Sequence, residues 1–302
     1  MKVRILSALV GIVVLVGVLI CPWTWVFALA AAVLAALAVW ELCYNTGKVQ
    51  SKLLVIVNMV CAAVGVGLAY LHRLSADSYY GTTLRSYEQM VLSGVCLVPL
   101  ALGVLTLICW LIVRKKVSFT DACYGYLMTL YAAAGFGSLA ALRVFDSDLD
   151  GLIVILLVLI IPWMSDTGAY FTGYFFGKHK MAPVISPKKT WEGFFGGWLV
   201  SVGCAALFAV ICNALLNDQG LYFSAATNAI IAFVLAPLSV CGDLLASLIK
   251  RHTGIKDYGN IMPGHGGVMD RFDSVIFIAP LMYLIFINQD VIMDWLRVIG
   301  IR

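Results

Sequence analysis

Three clusters of charged and hydroxyl-bearing residues stand out of an otherwise apolar chain. The first is DTGAYFTGYFFGKHKMAPVISPKKTWEG, from Asp166 to Gly193. Asp166 follows a long apolar run, where an ionisable group is costly unless it is paired or metal-bound. Further along, Ser186, Lys188, Lys189 and Thr190 set two ammonium groups and two hydroxyls beside an expected helix start. The free N–H groups and dipole of that start also favour anions. This is the outline of a phosphate cradle, with Lys178, His179 and Lys180 in the same loop. Lys188 and Lys189 also suit interfacial anchors, and Thr190 also suits a helix cap.

The second cluster is GDLLASLIKRHTGIKD, in which Asp243, Ser247, Lys250 and Arg251 share one face of an expected helix. A carboxylate about two turns below a cationic pair suits a metal ion beneath a polyphosphate. Magnesium takes oxygen ligands, commonly one or two carboxylates plus phosphate and water, and Lys and Arg neutralise what phosphate charge is left. The third cluster is GIKDYGNIMPGHGGVMDRFDS, Gly254 to Ser274. Its glycines let the backbone come close to a ligand. His265 sits among them as a base, a phosphate donor or a loop hydrogen-bonder. Asp270, Arg271 and Asp273 follow, the two carboxylates one helical turn apart. Asp273 alone also reads as the N-cap of a following helix.

The elements that must position these groups are membrane helices. Of 302 residues 62% are hydrophobic and 12% charged, against about 45–50% and about 25% in soluble domains, and the mean hydropathy is +0.98. The apolar runs are continuous rather than alternating, which predicts helices and not barrel strands. The expected fold is an all-α polytopic membrane protein with nine spans, near residues 4–20, 24–43, 53–71, 90–113, 119–142, 151–175, 192–216, 222–249 and 273–289. The start resembles a signal peptide but offers no small-x-small cleavage site, so it reads as an uncleaved first span. The nine cysteines lie mostly inside apolar runs with no zinc or disulfide spacing.

With a cytoplasmic N-terminus, fifteen of the twenty basic residues fall on the inner side, as the positive-inside tendency requires. That places the loops 176–191 and 250–272 on one cytoplasmic face. Residues 1–145 carry few intramembrane charges and no chemical motif, and read as a scaffold that could supply dimer contacts. Residues 146–302 read as the catalytic region.

The residues of the third cluster and those just before it resemble the signature of the phosphatidate cytidylyltransferases, or CDP-diacylglycerol synthases. The pattern stands here as Ser247, Lys250-Arg251, Lys256-Asp257, Pro263 to Gly267 and Asp270-Arg271-x-Asp273. The DTGAY and SPKKTWEG segments resemble the family too, so the likeness covers roughly residues 160–275. Met262 replaces a common Leu or Ile before the proline, a volume-conserving change, and Ala246 stands where bacterial members often carry Glu.

The resemblance implies transfer of CMP from CTP to phosphatidic acid, with Mg2+ or another divalent cation as cofactor and room for a monovalent cation besides. It implies metal binding by Asp243 and Asp270, with Asp273 and Asp166 as further ligands or as groups that support the ligands. Lys188, Lys189, Lys250, Arg251 and Arg271 would hold phosphates, and Ser186, Ser247 and His265 would orient phosphate oxygens or the nucleotide. Thr190 and Lys256 join the substrate-binding set. The expected partners are CTP, phosphatidic acid, the lipid bilayer and a second copy of the chain, without nucleic acid. A short chain without extensions suits a bacterial inner membrane, with the active site facing the cytoplasm. The rival is a secondary transporter or channel using Asp166 and Asp243 for ion coupling. Against it, the charge gathers at one membrane face and no inverted repeat is visible. The D-G-x-x-A-R motif of CDP-alcohol phosphatidyltransferases is absent from the sequence.

Overall fold

The computed structural model describes residues 2–78, 84–145, 148–216, 224–262, 264 and 266–288. Among them nine α-helices follow one another: α1 (Lys2–Ile20), α2 (Thr24–Trp40), α3 (Lys52–Ser78), α4 (Leu84–Val113), α5 (Phe119–Arg143), α6 (Asp148–Phe176), α7 (Trp191–Leu216), α8 (Ala225–Thr253) and α9 (Met269–Ile287). Six stretches of the described residues are helical, long and apolar enough to cross a membrane, lying on α2, α3, α5, α6, α7 and α8. The chain is thus a helical membrane protein. Large apolar side chains face outward in a stripe along α3, at Leu53, Ile56, Val60, Val64, Leu68 and Leu71. Spacings of three and four residues put such a stripe on one face of a helix, here a face suited to lipid.

The chain divides into two compact units. The first comprises Met1–Val154 and Leu245–Ile276. In it α2, α3 and α5 pack on one another, through Ala31, Ala35 and Ala38 of α2, Ala62 and Val66 of α3, and Ala132, Phe136 and Ala140 of α5, all buried. Small residues permit this approach, since hydrophobicity alone does not drive helices together in lipid. A Cβ at Gly65 would already lie 3.3 Å from that of Ala133, and one at Gly137 3.3 Å from that of Ala69. α2 does not end at Trp40 but continues into one π-helical turn, Glu41–Asn45. The wider turn leaves the Leu42 carbonyl open to side-chain donors: Thr46 Oγ1 at 2.6 Å and the Tyr124 hydroxyl at 3.0 Å.

The second unit comprises Ile155–Leu244 and Phe277–Arg302. Its centre is the pair α6 and α7. A Cβ on Gly168 would lie 2.7 Å from Val200 Cβ, and one on Gly197 would strike the Ser165 carbonyl oxygen and Ala169. Gly193 and Gly196 are filled against the same helix, by Ala169 and Thr172. This small-residue face of α7 is therefore spent on α6. Ser201 Oγ donates to the Ile161 carbonyl at 2.9 Å across the pair.

Two details differ from the sequence expectation. The loop between α6 and α7 holds an antiparallel hairpin, β1 (Lys180–Ala182) and β2 (Ser186–Thr190), with Lys180 opposite Thr190 and Ala182 opposite Ser186. These strands are three and five residues long, the second broken by Pro187, too short to show a period of two in the sequence. α9 starts at Met269, four residues before Asp273, so Asp273 lies in its second turn and is not its cap.

Candidate functional site

The sequence-predicted residues gather in two places, one in each unit. In the second unit Asp166 lies ten residues before the end of α6, about 15 Å along the helix axis at 1.5 Å per residue. It is within electrostatic reach of Lys189 and Asp243. Lys189 comes from β2, and its Nζ stands 2.6 Å from Asp243 Oδ2 on α8. The two side chains are about a quarter exposed, 21% and 26%. The Lys189 Nζ atom itself is shut off from solvent, and the pair lacks the alignment of a hydrogen bond.

Around this cluster the hairpin is anchored at its base. Thr190 Oγ1 accepts from the Gly193 N–H at 3.1 Å, the N-cap bond of α7. Glu192 in the first turn of α7 accepts from the His179 backbone N–H at 3.2 Å and pairs with its Nδ1 at 2.6 Å. The Trp191 N–H closes the ring on the His179 carbonyl at 3.0 Å. The Thr190 hydroxyl is thus occupied as a cap, while Lys188 is exposed and Ser186 half-buried on β2. The cradle consists of side chains on the strands of a hairpin.

In the first unit the site is built on the end of α8 and the start of α9. α8 stops in a Schellman motif: Gly254, at φ +73°, bonds the Arg251 carbonyl and Ile255 bonds that of Lys250. Lys250, Arg251 and His252 in the last turn suit its negative end. Lys250 Nζ reaches Asp270 Oδ1 at 2.8 Å, with side-chain exposures of 14% and 6%. Asp270 Oδ2 accepts from the backbone N–H groups of Tyr258 at 2.7 Å and Gly267 at 3.0 Å. The loop is closed by Met262, whose N–H donates to the Gly266 carbonyl at 3.0 Å. At Gly266, with φ +85°, a Cβ would lie 2.8 Å from Asp270 Oδ2, so glycine is required there twice over.

Tyr258 is the hub of this loop. It is buried, its hydroxyl donates to the Ala246 carbonyl at 2.8 Å, its carbonyl accepts from Asn45 Nδ2 at 2.7 Å, and Lys250 Nζ stands 5.3 Å from its ring centre. Burial, followed by the nearby Tyr124 and the carboxylates of Asp270 and Asp273, pushes its phenol well above the ordinary tyrosine range. Arg251, Lys256 and Arg271 are exposed and Ser247 is half-buried. Asp273 Oδ1 accepts from the Ser274 N–H at 2.7 Å, and its carbonyl accepts from Tyr131 at 3.2 Å. His265 and Pro263 lie outside the described residues.

The residue that motif reading missed is Glu41. It is 0% exposed, and its two oxygens accept from the N–H groups of Val268 at 2.9 Å and Met269 at 2.8 Å. With Asp270 it claims the N–H groups of residues 258, 267, 268 and 269, so this stretch of the glycine loop is held by the protein's own carboxylates. The available signal was that Glu41 is the sole acidic residue among the first 76.

For a divalent cation the donor sets differ. Asp166 and Asp243 fit by type: two carboxylates close enough to repel match the one-or-two-carboxylate pattern that substrate phosphate completes, with Asp243 ion-paired here to Lys189 at 2.6 Å. Asp270 has both oxygens engaged by internal donors. Among the described residues no group of three or more His, Cys, Asp or Glu could hold a metal ion by itself.

The chain matches the cytidylyltransferase family over residues 2–288. It is 33% identical to a phosphatidate cytidylyltransferase of Staphylococcus haemolyticus (strain JCSC1435) over 289 residues, 96% of this chain and 100% of the relative. A phosphatidate cytidylyltransferase of Staphylococcus epidermidis (strain ATCC 12228 / FDA PCI 1200) is 33% identical over 288 residues, 95% of this chain and 100% of the relative. One of Staphylococcus aureus (strain COL) is 32% identical over 294 residues, again 96% and 100%.

Proposed function

Because the chain belongs to the cytidylyltransferase family, we propose that it is a phosphatidate cytidylyltransferase. It transfers CMP from CTP to phosphatidic acid, giving CDP-diacylglycerol and pyrophosphate. The observation that carries this reading is the alignment, over 96% of the chain, with relatives of that name. A phosphate oxygen of the lipid attacks the α-phosphorus of CTP, the bond from that phosphorus to the bridging oxygen breaks, and pyrophosphate leaves. The lipid phosphate is already anionic near neutral pH, so no strong base is needed. The barrier is repulsion between anions, which positioned cations lower.

In the second unit Lys189, ion-paired with Asp243, binds a nucleotide or lipid phosphate, with Lys188 and Ser186 on the same strand. Asp166 and Asp243 would hold a divalent cation such as Mg2+, whose charge would screen the phosphates during attack. In the first unit Lys250, Arg251, Arg271 and Lys256 neutralise phosphate charge, and Ser247 and His265 orient oxygens. Asp270 fixes Lys250 and the loop, and Asp273 supports the same helix. A monovalent cation has a place in this scheme as a further counter-charge.

All nine helices span the bilayer with the N-terminus inside, in a bacterial inner membrane. The basic loops 176–191 and 250–272 then meet cytosolic CTP while the lipid arrives laterally. The chain acts as a homodimer, through a surface other than the Gly193, Gly196 and Gly197 face that α6 covers. The test is pyrophosphate release from CTP plus phosphatidate in membrane vesicles of both orientations. Inside-out vesicles should release it only with both substrates present, should stop on chelation with EDTA, and should lose at least about a hundredfold in Asp243→Asn. Equal activity in sealed right-side-out vesicles would sink the orientation, and no release from folded protein would sink the function.

A further inference from the structure

Glu41 stands 227 positions before the loop it holds, and the transfer reaction makes no direct use of it. Its carboxylate is buried and bidentate toward the backbone, with Oε1 on the Val268 N–H and Oε2 on the Met269 N–H. These are free donors at the start of α9, which a helix cannot satisfy internally. Asp270 meets the same loop through Tyr258 and Gly267. Asn45, four residues after Glu41, holds the Tyr258 carbonyl at 2.7 Å. One π-helical turn thus grips the loop at both ends, and π-helical turns are frequent at functional sites.

The socket around Glu41 is made by glycine. A Cβ at Gly259 would lie 2.5 Å from Glu41 Oε1, and one at Gly267 would overlap both carboxylate oxygens. A carboxylate suits the socket where an amide would not. Both positions face N–H donors, and the amino end of a glutamine would set donor against donor.

We infer that Glu41 is a positioning residue for the cytidylyl transfer: by holding Val268 and Met269 it fixes the first turn of α9, and so where Asp270 and Arg271 stand. The inference rests on the proposed activity for its kinetic part, and on the loop geometry alone for the rest. It gives the N-terminal helices a share in the reaction that scaffold packing would not.

The test compares Glu41→Gln with the unaltered full-length protein in detergent by steady-state kinetics and by hydrogen–deuterium exchange. Glu41→Gln should lower kcat about 10–100-fold, as loss of an orienting partner does, with KM for CTP and for phosphatidate within about threefold. The amides of 266–270 should exchange about tenfold faster while those of α5 keep their rates. Unaltered kcat, or a fall in kcat with unaltered exchange at 266–270, would overturn the inference. Gly267→Ala crowds the same carboxylate and is the second variant should Glu41→Gln not accumulate. It should show the same split between kcat and KM, and the double variant should lose less than the product of the two single losses. The exchange measurement needs no substrate, so an inactive parent protein would overturn the proposed activity and leave the loop result standing on its own.

Discussion

Tyr258 shows how much a single side chain can carry. Its hydroxyl is buried and donates to Ala246, and burial holds its proton more tightly than in the unfolded chain. The free phenol titrates near 10. Below that pH both states keep the proton and the contribution is whole. Above it the unfolded chain loses its proton first, and folding stability falls with rising pH by up to about 1.4 kcal/mol per unit. A thermal melt series from pH 8 to 11 should therefore steepen above pH 10, and Tyr258→Phe should flatten it while costing about 1 kcal/mol at pH 8 from the lost hydrogen bond. An unchanged slope in the variant would assign alkaline unfolding to other groups. At this scale the sequence was readable wherever charge broke an apolar run: Asp166, Lys189, Asp243, Lys250 and Asp270 all have partners that matter. Glu41 broke such a run too. It escaped notice because its partners are backbone N–H groups, which have no signature in a sequence.

Helices were legible as elements because lipid demands long apolar runs: among the described residues each expected segment overlaps an α-helix, and six stretches are long and apolar enough to cross a membrane. What blurred were their ends. α9 gains a turn because Asp270 is a first-turn residue whose carboxylate faces backbone donors, and α2 runs on into a π turn that no propensity marks. The α6 and α7 pair was not legible, since glycines in a sequence do not say which helix will meet them. The packing predicts a sharp difference within α7. Gly197→Val should destabilise the protein in detergent by at least about 1–3 kcal/mol, since the new side chain meets the Ser165 carbonyl. Gly203→Ala, with nothing within 4 Å of its Cβ, should change stability by less than about 1 kcal/mol. Melting temperatures of the two variants in one detergent decide it, and equal melting would refute the close α6–α7 fit.

Across the whole molecule, the sequence suggested a scaffold of residues 1–145 followed by a catalytic region. The compact unit that begins at Met1 also contains Leu245–Ile276, a long-range grouping that hydropathy along the chain could not reveal. Fragments 1–145 and 146–302 expressed separately should therefore be inactive, and co-expression should restore pyrophosphate release if the two recombine. Activity in 146–302 alone would show that the second fragment is self-sufficient. The grip of Glu41 on the start of α9 also has a consequence during synthesis. At about 5–20 residues per second, the ribosome adds the 227 residues that separate Glu41 from Val268 in about 11–45 s. For that interval the nascent chain carries an acidic group in its second helix without the donors that will later hold it. That helix must either stay near water or find a temporary companion, and the arrival of the loop before α9 is what supplies the missing donors.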